Sequence, residues 1–223
     1  MNLRDYERPS LTTDIVLLRV KEYPLNSRKN PYKRLEVLLI ERSSDPQKGK
    51  WSLPGGFVNI DEEIEANALR KLREKTGISG NFYTEQLYTW GNIDRDERGR
   101  VISVSYLGLV NPATYINEGG TERQIWMDVE LAMCTPLAFD HNEILKYAIA
   151  RLKGKMEYTD IVFNLLPDEF TIRDIQMLYE LVFNKKQDNF RRRIEQYVEP
   201  TGKIQTGKQF RPAELYKWRL TNE

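Results

Sequence analysis

The apolar positions along the chain follow strand-like and helix-like spacings in alternation. Thr13–Val20 and Leu35–Arg42 are rich in Val, Ile and Leu and read as strands. Between them, Lys21–Arg34 holds two prolines, two asparagines and five basic residues, which predicts a long exposed hairpin loop. Trp51–Gly56 reads as a turn that leads into a helical pattern over Glu62–Thr76. Asn59 with Glu62 three residues on offers a capping box, and Gly77 supplies a stop. Further strands are predicted at Phe82–Trp90, Val101–Val110 and Gln124–Val129, with a turn at Asn92–Gly99. Leu145, Ala148, Ile149 and Leu152 then repeat at three and four, which predicts an amphipathic helix over Asn142–Leu152 that Gly154 ends.

Beyond this point the texture changes. Ile172, Ile175, Leu178, Tyr179 and Val182 fall on one stripe of a predicted helix, Phe170–Val182, with Thr171 as its N-cap. A break at Asn184–Gln187 precedes a second helix, Asp188–Tyr197, that carries Arg191, Arg192 and Arg193. Two strand-like pieces follow, Tyr197–Pro200 and Leu215–Leu220, joined by the Gly202–Pro212 loop with Lys203, Lys208 and Arg211. Helix, tight turn, basic helix and basic hairpin is the order of a winged helix-turn-helix. The chain is therefore expected to divide into residues 1–153 and 154–223.

Charge sharpens this division. The whole chain of 223 residues is nearly neutral at +1. From Asn184 onward, however, ten basic residues stand against five acidic ones, so this end carries +5 and residues 1–183 carry −4. Such asymmetry suits a nucleic-acid-facing end on an acidic body, although a solvated surface would look the same by charge alone. Apolar runs such as Ile15–Leu18 and Val37–Ile40 are too short to cross a bilayer. Met1–Arg8 is charged and lacks the apolar core of a secretion signal, so a cytoplasmic location without membrane attachment is expected. A single cysteine, Cys134, and a single histidine, His141, leave no Cys/His zinc site. Any metal would be a hard cation held by carboxylates. Cys134 is expected to be buried or inert, and His141, next to Asp140, to open a helix rather than act as a base.

Gly56, Glu62, Arg70, Leu72, Glu74, Gly77 and Ile78 resemble the Nudix box, Gly-x5-Glu-x7-Arg-Glu-U-x-Glu-Glu-x-Gly-U, in frame over 23 positions. The resemblance implies an α+β fold: the Nudix α/β/α sandwich around a mixed sheet, over roughly residues 10–150, followed here by the small winged helix-turn-helix. Two positions depart from the family pattern. Lys71 and Lys75 stand where it has glutamates. Positions 71, 74 and 75 share one helix face, and three carboxylates there would gather Mg²⁺ to neutralise a diphosphate and activate water. Two ammonium groups around Glu74 instead repel a cation. Glu62, Glu63, Glu65 and Glu74 survive, of which Glu62 and Glu74 are the residual metal candidates. No catalytic residue is assigned and no cofactor is required, with Mg²⁺ expected only if residual hydrolysis persists. The same charges, acidic in the first turn and basic in the second half, also complement the helix dipole without any ligand.

Several further stretches resemble the Nudix-related transcriptional regulators. They are Trp90–Val104, Phe139–His141, Phe163–Pro167, Asn189–Arg192 and Arg211–Tyr216, which together run through nearly the whole chain in order. That resemblance implies a homodimer that binds double-stranded DNA through its winged helix. It also implies an effector, ADP-ribose or a pentose such as arabinose, bound in the Nudix domain. Effector contacts are expected from Asp94, Arg95, Asp96, Arg98 and Arg100, since guanidinium forks suit diphosphate oxygens and carboxylates suit sugar hydroxyls. A salt-bridged hairpin tip is the alternative for that turn. DNA contacts are expected from Lys185, Asn189, Arg191, Arg192, Arg193, Lys203, Lys208 and Arg211. The rival reading is a Mg²⁺-dependent Nudix pyrophosphohydrolase acting on ADP-ribose or a related nucleoside diphosphate, its tail a dimerisation module.

Overall fold

The structure, a computed structural model, describes residues 6–23, 32–80, 82–111, 116–205 and 212–219. In chain order the first half contains β1 (Ser10–Tyr23), β2 (Tyr32–Glu41), β3 (Trp51–Ser52), β4 (Gly55–Phe57), α1 (Ile64–Thr76) and β5 (Ile78–Ser79). Next come β6 (Tyr83–Trp90), β7 (Val101–Val110), β8 (Ile116–Asn117), β9 (Gln124–Asp128), α2 (Val129–Cys134) and α3 (His141–Tyr158). A 3-10 turn, Ile161–Leu165, leads to α4 (Ile172–Phe183), α5 (Phe190–Ile194), β10 (Val198–Ile204) and β11 (Glu214–Trp218).

β1 is the spine of a mixed sheet with strand order β3-β2-β1-β7-β6. It runs antiparallel to β2, with Leu18 opposite Val37, and parallel to β7, with Ser10 opposite Val101. β4 pairs with the start of β1, and β9 with β2. Because helices cover both faces, the central strands read as continuous apolar runs rather than as alternating ones. On one face Ile15, Leu17, Leu38 and Tyr106 pack against Ala68 and Leu72 of α1. On the other, Val16, Leu18, Val37 and Leu107 meet Ile144, Leu145, Ala148 and Leu152 of α3. This second cluster continues into Phe163, Ile175, Leu178, Phe190, Ile194 and Tyr216, so the C-terminal helices and hairpin share a core with the sheet. Lys33 of β2 also pairs with Asp174 of α4 at 2.5 Å.

The expected elements are present, with differences at their ends. β1 and β2 extend into the predicted loop as far as Tyr23 and Tyr32, and residues 24–31 lie outside the described ones. α1 starts at Ile64, and its N-cap Glu63 makes no side-chain cap. Asn59 forms only half of the expected box, its N–H donating to Glu62 at 3.3 Å. Gly77 ends the helix as expected, at φ 68°. Gly154 does not stop α3, which runs on to Tyr158 and carries the 153/154 division inside it. Burial of Leu152 and Met156 outweighs the roughly 1 kcal/mol that glycine costs a helix. Thr171 and Asp174 cap each other reciprocally at the start of α4. The basic helix is shorter than expected and finishes as a 3-10 turn over Glu195–Tyr197. Cys134, expected to be buried or inert, is exposed. Among the described residues no helix is long and apolar enough to cross a membrane.

Candidate functional site

α1 is fastened to the sheet through Asn67, a fully buried polar residue. Thr13 Oγ1 donates to its Oδ1 at 2.6 Å, and its Nδ2 donates to Phe57 O and Glu62 Oε2, both at 2.8 Å. β4 lies so close to β1 that a Cβ on Gly55 would collide with the Thr13 carbonyl and the Asp14 carboxylate. Gly56 gives the Lys71 stem its room, since its own Cβ would stand 3.0 Å from the Lys71 chain. Gly55 and Gly56 therefore let β4 lie close against β1 and α1 at the rim of one cavity.

The carboxylates retained from the Nudix box do come together, but around an arginine. Arg70 grips Glu62 through Nε at 2.5 Å and reaches Glu74 through NH1 at 2.8 Å. Arg70, with help from Asn67, holds the Glu62 carboxyl down at about 2. The same guanidinium lowers Glu74, to which Lys71 also donates at 3.2 Å. Among the described residues no three His, Cys, Asp or Glu side chains gather as metal ligands. Glu62 and Glu74, the residual metal candidates, are thus both partners of Arg70.

The cavity beside them has a volume of about 210 Å³ and includes Asp14, Arg42, Lys75, Arg98, Phe139 and His141 in its lining. Lys75 is half-buried, and burial pushes its ammonium below the ordinary lysine range. Arg42 lies 4.7 Å over the Phe139 ring and donates to the carbonyls of Pro46 and Ser44. His141 is the first residue of α3, as expected, and is buried. Its Nδ1 accepts from the Leu53 N–H at 2.9 Å, and its Nε2 faces Asp14 at 3.5 Å. Burial lowers the imidazole, which keeps it neutral in this setting.

The Asp94–Arg100 turn divides its residues between two roles. Arg95 is almost fully buried and holds Asp140 with both prongs of its fork, at 2.7 and 2.9 Å. Asp96 and Arg98 also line the cavity and pair at 2.6 Å, which lowers the Asp96 carboxyl. Arg98 remains 40% exposed and lies over Phe57 and Phe139. Arg100 turns away to the carbonyls of Gly91 and Asn92. Asp94 is exposed and faces a neighbouring hollow with Ile93 and Asp140. Sequence reasoning passed over Asp14, Arg42, Phe57 and Phe139 as wall residues. Asp14 left one signal, a lone acid inside an apolar strand, which is rare unless paired.

At the other end, Thr171 and α4 hold the basic helix α5 against the core through Phe190 and Ile194. Arg193 does not reach outward with its neighbours, because it lies 4.9 Å over the Tyr179 ring. Arg191 pairs with Glu195 at 2.9 Å and donates to the Tyr216 hydroxyl. Arg192 and Lys185 are exposed and have no ion pair among the described residues. Asn189 is the exposed N-cap of α5, at φ 53°. Lys203 on β10 meets Glu169 at 2.6 Å. Lys208 and Arg211 lie outside the described residues.

Comparison with known proteins matches both halves. Residues 25–148 match the NUDIX domain and residues 162–218 the NrtR DNA-binding winged helix domain. The ADPR responsive transcriptional repressor NtrR of Acinetobacter baylyi is 39% identical over 224 aligned residues, covering 97% of this chain and 84% of that one. The crystal structure of Shewanella oneidensis NrtR complexed with a 27mer DNA superimposes with a TM-score of 0.76 at 34% identity, over 94% of this chain and 93% of that one. The NUDIX domain of the same protein, in a cocrystal structure with ADP ribose, matches at 35% identity with a TM-score of 0.56, over 68% of this chain and 94% of that one. With a Nudix sandwich whose box carboxylates close on an arginine and an NrtR-type winged helix sharing its core, this chain belongs to the NrtR family of Nudix-related transcriptional regulators.

Proposed function

We propose that the effector of this regulator is ADP-ribose and that the protein acts as a DNA-binding repressor, as a homodimer. One observation carries the choice of effector. Arg42 and Arg98 lie over Phe139, and Lys75 shares their cavity. Cations beside aromatic rings suit a ligand with both charged phosphates and flat or apolar surfaces. A free pentose offers no charge to match them. Lys33 of the sheet and Asp174 of the α4 cap give a direct contact through which a change at the sheet reaches the winged helix. Its double use, as ion-pair partner and as capping residue, ties helix α4 to strand β2.

The test is a gel shift on duplex from the gene's own upstream region. Saturating ADP-ribose should release the DNA, whereas ribose and arabinose at the same concentration should not. At about 100 times its dissociation constant, ADP-ribose should also stabilise the fold by roughly 2.7 kcal/mol, or about 5–11 °C in melting temperature. A pentose that releases DNA while ADP-ribose does not would overturn the effector assignment.

Arg98 is the cavity cation nearest the surface, and its variant separates ligand contact from scaffold. Arg98→Ala should remove most of the ADP-ribose-induced rise in melting temperature. The unliganded melting temperature should move less than for loss of Arg95, because the Arg98 head is 40% exposed and the buried Asp96 keeps its bond from the residue-98 N–H at 3.0 Å. Equal losses with and without ligand would make the Asp96–Arg98 pair a structural clasp only.

A further inference from the structure

The Nudix fold brings with it an expectation of magnesium, and the residues present do not fit that ion. Glu62 and Glu74 are held by Arg70, and positions 71 and 75 are lysines. Asp14 is likewise engaged, since Ser103 donates to it at 2.6 Å and Arg95 and His141 stand at 3.7 and 3.5 Å. Lys75 and Arg42 line the same cavity, and their positive charges oppose a divalent cation there.

We propose that the Lys75 ammonium and the Arg42 guanidinium together replace the divalent cation, so that a diphosphate binds in this cavity without any metal. The inference rests on the ADP-ribose reading and deepens it by naming the groups that hold the phosphates. Four cationic side chains line the cavity, and two are already matched, Arg95 by Asp140 and Arg98 by Asp96. Lys75 and Arg42 meet no carboxylate within 4 Å among the described residues. Two cations without a close carboxylate therefore share one recess, and even with Asp14, which divides Arg95 with Asp140, the cavity keeps a net positive charge. A half-buried ammonium with no carboxylate in contact has lost water and gained only the longer-range attraction of Glu122 and Asp14, and phosphate oxygens restore the rest of that loss. Placement agrees as well. Lys75 sits on the α1 face where the resemblance puts a metal-binding glutamate, so the substitution puts the charge itself where the ion would be held.

The proposal is tested by isothermal titration of the full-length protein with ADP-ribose and, separately, with inorganic pyrophosphate, in EDTA and in excess Mg²⁺. For the unaltered protein, EDTA should change neither affinity by more than about twofold. Lys75→Met should weaken both probes by roughly 10–100-fold, and Lys75→Arg, which keeps the charge, should recover most of that loss. Lys75→Glu, which reverses the charge, should abolish binding of both probes in EDTA. Loss of binding in EDTA by the unaltered protein, or wild-type affinity in Lys75→Met, would overturn the proposal. The EDTA comparison holds even if a variant does not fold. Pyrophosphate binding without ADP-ribose binding would sink the effector reading and leave the lysine assignment standing. Metal-dependent ADP-ribose binding would do the reverse, and binding of neither probe would overturn both.

Discussion

Between about 50 and 200 mM salt, affinity for the operator duplex is expected to fall by roughly 10³–10⁴-fold. Each protomer offers Lys185, Arg191, Arg192, Arg193, Lys203, Lys208 and Arg211. If about half of them meet phosphates, a dimer neutralises roughly six to eight, and log affinity falls against log salt with a slope of about −5 to −7. The structure ranks these cations. Arg192 and Lys185 are ready to meet DNA, whereas Arg191 must leave Glu195, Lys203 must leave Glu169, and Arg193 is occupied over Tyr179. Arg192→Ala should therefore lower the slope by about one per protomer, and Arg193→Ala by less. If Arg192 reads a guanine instead, its loss should cost about 1–3 kcal/mol on the operator and relax specificity at one base pair. Gel shifts at several salt concentrations check both. A change of less than about tenfold across that range would refute the phosphate count. Binding to the native upstream region no tighter than to random duplex would remove the operator reading and bring the hydrolase alternative forward.

The Nudix frame was legible because backbone geometry constrains it. Gly77 adopts a left-handed φ that few other residues tolerate, and Gly55 faces a carbonyl with no room for a side chain. The winged helix was legible for a similar reason, since the Thr171–Asp174 box and the stripe Ile175, Leu178, Tyr179, Val182 are local signals. The site was legible only in part. Helical spacing places Lys71 and Lys75 on one face, but it does not show that Lys71 is spent on Glu74 while Lys75 opens into the cavity. Nor does a turn have a period from which directions can be read. Among its charged residues, Arg95 points inward to Asp140, Asp96 and Arg98 line the cavity, and Arg100 folds onto the backbone. That Arg193 lies over the Tyr179 ring was not legible either, because the ring comes from another helix. The contacts of Arg95 with Asp140 and of Arg193 with Tyr179 join distant parts of the chain, while that of Lys71 is local to its helix and those of Arg98 and Arg100 are local to a turn without a period.

The second large effect separates the two roles within the Asp94–Arg100 turn. Arg95→Ala is expected to destabilise the protein by about 3–5 kcal/mol, because Asp140 and Asp14 are left buried with a charge and no matched partner. For a chain of this size that corresponds to a fall of roughly 6–20 °C in melting temperature. Asp140→Ala should cost a similar amount, since it strands the Arg95 guanidinium. The double variant should cost less than the two singles summed, because groups in one network do not act independently. Much of the penalty belongs to the stranded charge rather than to the bond. Arg95→Met with Asp140→Leu, which replaces the pair by apolar bulk, should therefore lie nearer the unaltered protein than either single truncation. Thermal melts of these proteins and of Arg98→Ala decide the matter. A drop for Arg95→Ala no greater than that for Arg98→Ala would show that the buried fork does not anchor the turn, and would return Arg95 to the ligand-binding set.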